Sequence, residues 1–315
     1  MFQNDERMKL GRFTQPTVSD ISIEWLMQAY YSTLQRENKN IHLVPCAINY
    51  DRLFEIRNLA NETVSNETPE LNAATVGRMI REQTGQTRGK IYVTFGKPIN
   101  FERFLTSQKL MPLKPNLMDE AALSLTTHLV LQQEYASPVV LNMIVAALLL
   151  QESSAKVKFN HFFDSVTHIY NWLIIRGGVK MIMREPPSKR AVLDIIGKLG
   201  FRMKTTEKRE GQRRGIQYKI YLDAKNDQKT TLGLAYYSSN LLQNIILDAA
   251  MSKIIMLNMV QGGKKTYSVR EMTSKIQFLG NVLRNEYLER DPRNIMDSIS
   301  HRLGVFSSQK EIALT

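Results

Sequence analysis

The chain has 315 residues, of which 43% are hydrophobic and 23% are charged, a balance typical of a globular protein with one large domain or two ordinary ones. Its net charge of +12 indicates an anionic partner: nucleic acid, anionic lipid headgroups, or phosphorylated and CoA-bearing molecules. The single cysteine, Cys46, excludes an internal disulfide and favours a reducing compartment. The longest apolar stretch, residues 139–150, is shorter than the ~20 residues that cross a bilayer, so we expect no spanning helix in this chain.

The first part of the chain alternates predicted helices and strands. Apolar residues at helical spacing predict an amphipathic helix over 21–34, and a mainly buried strand follows over 41–50. Pro45 removes a ladder donor from that strand, which indicates an edge or a bend. A helix over 75–82 and a strand over 90–95 come next. Strand, helix and strand with short connections predict an α/β unit.

The pattern changes near residue 106. Two prolines and two lysines within residues 109–115 predict a linker. Residues 201–223 read as a charge-rich loop with a short strand over 217–222. Most of the remaining chain shows helical spacing, over 118–134, 138–151, 161–176, 232–259 and 268–290.

Several kinds of site are excluded by residue type. Five scattered histidines and one cysteine do not make a zinc cluster, and there is no nucleophile elbow, phosphate loop or dinucleotide glycine motif. The basic residues of 202–219, with Tyr218 and Tyr221, could contact nucleic-acid phosphates. Since no known nucleic-acid module is present, we interpret the stretch as a solvated basic loop.

Two blocks carry a family resemblance. Residues 41–55, IHLVPCAINYDRLFE, run a Val-Pro strand into a Tyr-Asp pair, and residues 93–98, VTFGKP, end a strand in Phe-Gly-x-Pro. In order and spacing these blocks resemble the glycerol-3-phosphate and dihydroxyacetone-phosphate acyltransferases. The helices over 139–151 and 234–242 resemble the family's helical region, and the first of them slightly favours the dihydroxyacetone-phosphate branch.

The N-terminal segment resembles the family's basic loop, Glu-Gly-x-Arg-Ser-Arg-x-Gly-Lys. Residues 4–12 keep Arg7, Lys9, Gly11 and Arg12 at the basic and glycine positions. The leading Glu-Gly is replaced by Asn-Asp.

The resemblance implies an α/β fold class with two parts. Residues 1–108 would be the C-terminal half of the acyltransferase α/β domain, and residues 109–315 the family's mostly helical C-terminal region.

The activity that the resemblance implies is transfer of a fatty acyl group from acyl-CoA, as co-substrate, to glycerol 3-phosphate or dihydroxyacetone phosphate, without cofactor or metal. In the family a His-x4-Asp pair supplies the base. No histidine of this chain has an aspartate five positions on, and the family's pair precedes the Val-Pro block. The resemblance therefore implies a chain that begins after the catalytic pair and is inactive by itself.

The implied site residues hold substrate. Arg7 would bind the acceptor's phosphate because its planar fork can donate two bonds, with Lys9 and Arg12 as supporting charges. Pro45 would shape the wall of the acceptor pocket. Asp51 is a candidate by position only, and an exposed ion pair at a strand end explains it equally well.

Two alternatives stay open. The chain could be a catalytically inactive paralogue that serves as a scaffold, or a basic lipid- or RNA-binding subunit. For the acyltransferase we expect peripheral contact with an anionic membrane inside the cell, in phospholipid or ether-lipid synthesis, at the mitochondrial outer membrane, endoplasmic reticulum or peroxisome. The chain does not end in a peroxisomal Ser-Lys-Leu signal.

Overall fold

The structure is a computed structural model, and it describes a large part of the chain. The N-terminal segment with Arg7, Lys9 and Arg12 lies outside the described residues, as do most of the helices predicted over 75–82 and 268–290. The described residues are 21–34, 41–51, 77, 89–151, 156–177, 180–183, 185–199, 202–210, 213–221, 228–262, 270–271, 274–276 and 278.

The chain divides into two compact units. Among the described residues, the first unit holds 21–34, 41–50 and 91–138, and the second holds the others. The boundary predicted at residue 108 concerns the family's domains rather than these units, and it stays a prediction.

The first unit is built around three helices. Helix α1 (Ile21–Ala29) continues into a π-helical turn, Tyr30–Leu34, which confirms the helix predicted over 21–34. Helix α2 (Phe101–Ser107) begins at Asn100, whose side chain accepts a hydrogen bond from the Arg103 amide. Helix α3 is Met118–Ala136. These helices share one apolar core that includes Ile23, Met27, Tyr30, Phe101, Leu105, Ala121 and Leu125.

The segment predicted as a linker is part of that core. Leu110 and Leu113 are only 4% and 2% exposed, and they pack with the helices of the first unit. The linker prediction over 109–115 is therefore wrong. Its prolines and lysines are exposed, as the composition indicated, but burial of the two leucines between them anchors the segment.

The strand predicted over 41–50 is broken in two. Strand β1 (His42–Leu43) pairs with β4 (Ile99–Asn100), and β2 (Cys46–Tyr50) pairs with β3 (Ile91–Phe95). Both pairs are antiparallel, so the described strands do not form the βαβ arrangement that the α/β prediction implied.

The prediction of a mainly buried strand is also wrong. Helix α3 packs on β2 and β3, and the side chains of β2 and β3 alternate between buried and exposed. An apolar run such as that of β2 does not reveal whether one face or both faces will be covered.

The second unit is mostly helical. Helix α4 (Leu141–Gln151) packs against α5 (Phe159–Arg176), α6 (Lys189–Lys198) and α7 (Gln228–Gly262). The helices predicted over 138–151, 161–176 and 232–259 are thereby confirmed. Helix α6 was not predicted, although Ser188 caps it by accepting a hydrogen bond from the amide of Ala191. In the described part of the chain, no helix is both long enough and apolar enough to cross a membrane.

A buried ion pair joins two of these helices. Arg176 Nε, at the end of α5, lies 3.0 Å from Asp248 Oδ2 in α7, and the two side chains are 6% and 4% exposed. The Arg176 guanidinium also donates to the Gly177 carbonyl and lies 5.8 Å from the centre of the Trp172 ring. Since a charge left alone in this environment is costly, each partner depends on the other to stay buried.

A three-stranded antiparallel sheet completes the second unit. Its strands β5 (Lys156–Lys158), β6 (Arg202–Glu210) and β7 (Arg213–Tyr221) lie in the order β5-β7-β6. The strand predicted over 217–222 is confirmed as the end of β7, but the charge-rich loop predicted before it is wrong, because β6 and the start of β7 are strands. Charged residues dominate the sequence of β6 and the start of β7, and only β7 from residue 216 onward alternates apolar and polar side chains.

Candidate functional site

The first candidate site is a bend in the β-ribbon of the first unit, where prolines interrupt both strands. Pro45 stands between β1 and β2, and residues 96–98, Gly-Lys-Pro, stand between β3 and β4. The Gly96 amide donates to the Pro45 carbonyl at 2.8 Å, and Cys46 is opposite Phe95. The two blocks that carried the family resemblance are thus direct neighbours.

The bend requires a glycine. A Cβ atom at Gly96 would lie 3.3 Å from the Cβ of Pro45 and 3.4 Å from the Cβ of Ala136 in α3. The distance to Pro45 is shorter than an ordinary van der Waals contact and the distance to Ala136 is at its lower limit, so a side chain here would strain the packing of the ribbon against the helix. Close approach of the backbone therefore explains the Gly of the Phe-Gly-x-Pro block.

Polar contacts at the C-terminal end of α3 hold the ribbon in place, and these contacts were not predicted from the sequence. Gln133 Nε2 donates to the Cys46 carbonyl at 2.9 Å, and Asn49 Nδ2 donates to Ser137 Oγ at 2.9 Å. Asn49 is only 6% exposed, so this hydrogen bond satisfies a buried amide. The sequence feature that could have indicated this hydrogen bond is an asparagine at an inward position of an apolar strand.

The opposite face of β2 and β3 is apolar and exposed. Ile48 stands directly opposite Val93, and Ile91 and Phe95 lie at the neighbouring positions of the same face. Their exposed fractions run from 38% for Ile48 to 67% for Phe95. This face can bind an apolar surface, and Cys46 and Tyr50 share it at the two ends of β2.

The second candidate site surrounds Asp51 in the second unit. Lys198 Nζ lies 3.2 Å from Asp51 Oδ2 and 2.8 Å from Asp194 Oδ2. The Asp51 amide donates to the Lys90 carbonyl at 2.8 Å, and the Asp51 carbonyl accepts from Asn142 Nδ2 at 3.1 Å. The carboxylate of Asp51 is therefore paired with a lysine, and a role in binding the acceptor stays a prediction.

The charge of this cluster is set by opposing effects on Lys198. Burial lowers the pKa of Lys198, but the hydrogen bonds to Asp194 and Asp51 and the attraction of their negative charges together raise that pKa above its usual value of 10.5. Lys198 is therefore protonated at neutral pH. Because the pKa is raised in the folded state, the pair stabilises the fold below pH 10.5 and loses that effect as pH rises through the raised pKa.

Among the described residues, one histidine packs against an aromatic ring. His128 packs its ring 5.1 Å from that of Phe104, and burial lowers its pKa. Within the residues that the structure describes, no three His, Cys, Asp or Glu side chains are grouped to bind a metal. Of the residues predicted to bind substrate, the structure describes only Pro45 and Asp51, while Arg7, Lys9 and Arg12 lie outside it.

We expect Gly96→Ala to destabilise the protein by about 1–3 kcal/mol, because the added methyl group overpacks the contact with Pro45 and Ala136. Gly197→Ala is the matched control, since nothing lies within 4 Å of its added Cβ and alanine favours the helix α6. Urea unfolding measures both variants. Equal stability of the two variants would contradict the close approach at Gly96.

We expect Asp51→Asn to lower the free energy of unfolding by about 1–3 kcal/mol, because it removes one partner of a mostly buried ion pair. Asp194→Asn is the control: that carboxylate also bonds Lys198 but is 59% exposed, so its loss should cost less than about 1 kcal/mol. Thermal and urea unfolding compare the two. If Asp51→Asn leaves stability unchanged, the ion pair does not hold this part of the fold.

Comparison with known proteins identifies relatives of the whole chain. The family described as the glycerol-3-phosphate acyltransferase C-terminal region matches residues 72–315. A glycerol-3-phosphate acyltransferase of Haemophilus ducreyi is 22% identical over 312 residues, and one of Actinobacillus pleuropneumoniae serotype 3 is 22% identical over 317 residues. Each of these alignments covers 96% of this chain.

The alignments cover 36% and 35% of the two relatives, so the chain spans about a third of their length. The Phe-Gly-x-Pro block at residues 95–98 lies inside the part that matches the family, whereas Pro45 and Asp51 precede it. The match over 72–315 covers most of the chain and confirms the resemblance. The chain belongs to the family of the glycerol-3-phosphate acyltransferase C-terminal region.

Proposed function

We propose that this chain is the substrate-holding part of an acyltransferase that moves a fatty acyl group from acyl-CoA to glycerol 3-phosphate or dihydroxyacetone phosphate. The observation that carries the proposal is the family match over residues 72–315. The names of the relatives favour glycerol 3-phosphate as the acceptor. The junction of Pro45 with Gly96 supports it further, because both resemblance blocks contribute to one bend.

In this proposal the acceptor's phosphate is bound by Arg7, with Lys9 and Arg12 adding positive charge. Arginine suits this role because its guanidinium donates two parallel hydrogen bonds to a phosphate. The Pro45 bend forms part of the pocket wall, and its rigidity would orient the acceptor's hydroxyl. The net charge of +12 suits two polyanionic substrates, acyl-CoA and the phosphorylated acceptor.

Proton transfer would fall to residues outside this sequence. None of the five histidines is followed by an aspartate at the His-x4-Asp spacing. The exposed apolar face of β2 and β3, with Val93 and Phe95, is consistent with a ribbon that lies in the interior of a larger enzyme. We propose that the half of the pocket that handles the proton covers this face.

The purified 315-residue chain should transfer no acyl group from labelled acyl-CoA to glycerol 3-phosphate or dihydroxyacetone phosphate, because it lacks the proposed base. Extraction and chromatography of labelled lipid measure the product, with the Haemophilus ducreyi relative as the positive control. Product above the level of a heat-inactivated sample would show that the base lies within this sequence.

In a form of the protein that carries out the transfer, Arg7→Ala should raise the KM for the acceptor more than the KM for acyl-CoA. Loss of a charge-assisted bond to phosphate costs about 1.5–3 kcal/mol, which corresponds to a roughly 10- to 150-fold change. Arg103→Ala is the control, since Arg103 is an exposed residue of α2 outside the proposed pocket. Equal effects of Arg7→Ala on both KM values would show that the N-terminal segment matches the family's basic loop only by chance.

The alternative is an inactive paralogue that serves as a scaffold, which the missing His-x4-Asp pair also supports. The two are separated by assaying the protein isolated from its own cells, in whatever length it occurs there. Acyl transfer by that material supports the enzyme, and its absence in a correctly folded preparation supports the scaffold.

A further inference from the structure

The three-stranded sheet of the second unit has two unlike faces. Val157 in β5 is 6% exposed, whereas the next residue, Lys158, is exposed. Helix α5 packs against β5 and β7. Because successive strand residues belong to opposite faces, the position of Val157 marks the face toward the interior and that of Lys158 marks the other face.

The strand register extends the second face across the sheet. Lys158 is opposite Lys219 of β7, which is opposite Lys204 of β6, so three lysines form one row. Positions two residues away along each strand share this face. They add Lys156, Arg202, Lys208 and Arg213, for seven basic residues in all, with Glu210 as the one acidic position. We call this set the basic face.

The positions of the other face are mostly apolar. Val157 is opposite Ile220, which is opposite Met203, and Ile216 and Tyr218 continue the same face along β7. Its charged positions are Glu207, Arg209 and Arg214, and the two arginines stand opposite each other near the end of the hairpin. The sheet therefore segregates most of its charge by register, a property that the basic stretch as a linear sequence does not reveal.

We propose that the basic face docks on the anionic headgroups of a phospholipid bilayer. Neighbouring strands lie about 4.8 Å apart, and alternate residues of one strand are roughly 6.6–6.8 Å apart, so the basic positions form a broad two-dimensional array. Such an array complements the plane of an anionic membrane surface, to which each basic residue is attracted. The choice of a lipid partner rests on the proposed function, whose product is a lipid.

A nucleic acid would be the other broad polyanion. Proteins that bind single strands combine basic grooves with several aromatic side chains on which bases stack. On the basic face the register places a single aromatic residue, Tyr221, at the end of β7. The arrangement therefore favours a headgroup surface over a nucleic-acid strand.

The test removes one cross-strand basic pair from each face. Lys204→Gln with Lys219→Gln neutralises a pair on the basic face, and Arg209→Gln with Arg214→Gln neutralises a pair on the other face with the same change in net charge. Binding of the purified chain is measured by sedimentation with vesicles of phosphatidylcholine, with and without phosphatidylserine. Circular dichroism and thermal unfolding show that each variant is folded.

We expect the parent chain to bind only the vesicles with phosphatidylserine, and less tightly at high salt. The basic-face pair should weaken binding about 25-fold, since each basic residue near an anionic surface contributes a factor of about five. The control pair should bind like the parent. Should the basic-face variant fail to fold, Lys156→Gln with Lys158→Gln in β5 removes two charges of the same face outside the hairpin.

Three results would overturn the proposal: equal weakening by both variants, equal binding to both kinds of vesicle, or tighter binding to single-stranded RNA or duplex DNA with the same dependence on the basic face. The last result would assign the face to nucleic acid. The assay contains no acyl-CoA and no acceptor, so the outcome is independent of whether the acyltransferase proposal holds.

Discussion

The second unit depends on one helix that has no polar face. Residues 141–146 of α4 are all buried, and such a helix is stable only when other elements surround it. Helices α5, α6 and α7 supply that cover. The buried pair of Arg176 and Asp248 then ties α5 to α7. Helix α5 also packs on β5 and β7, so the packing around α4 extends to the three-stranded sheet.

In the first unit, the main structural constraint is that a β-ribbon interrupted by prolines must keep one conformation. Proline cannot donate to a ladder, so the ribbon breaks where Pro45 stands, and the Gly96 amide bridges the break by bonding the Pro45 carbonyl. Gln133 of α3 and Ser137, the residue that follows α3, fasten the ribbon from one side. A bend held by packing and hydrogen bonds together is suited to positioning a small substrate. This rigidity is the physical basis of the role proposed for the bend.

The positions of the long helices were predictable because their apolar residues recur at helical spacing over many turns. The segment 109–115 was misread because prolines and lysines dominate its composition, while the contacts of Leu110 and Leu113 are made with helices distant in sequence. The strand over 217–222 was predicted, whereas β6 and the start of β7 were missed because charged residues dominate their sequences. Of the candidate site, the family resemblance pointed to Pro45 and to the Phe-Gly-x-Pro block, but neither their meeting nor the pairing of Asp51 with Lys198 was predicted, since each joins residues far apart along the chain.

By itself, the sequence determined the helical spacing, the basic charge, the resemblance blocks and the absence of a His-x4-Asp pair, because these are local patterns of residue type. Only the tertiary structure decided which strands pair, which of their faces is covered and which charges meet. Strand pairing joins residues distant in the chain, and a shift of one residue in register would exchange the faces of a strand. Seven of the nine basic positions of the sheet share a face for that reason, and composition alone could not have assigned them to it.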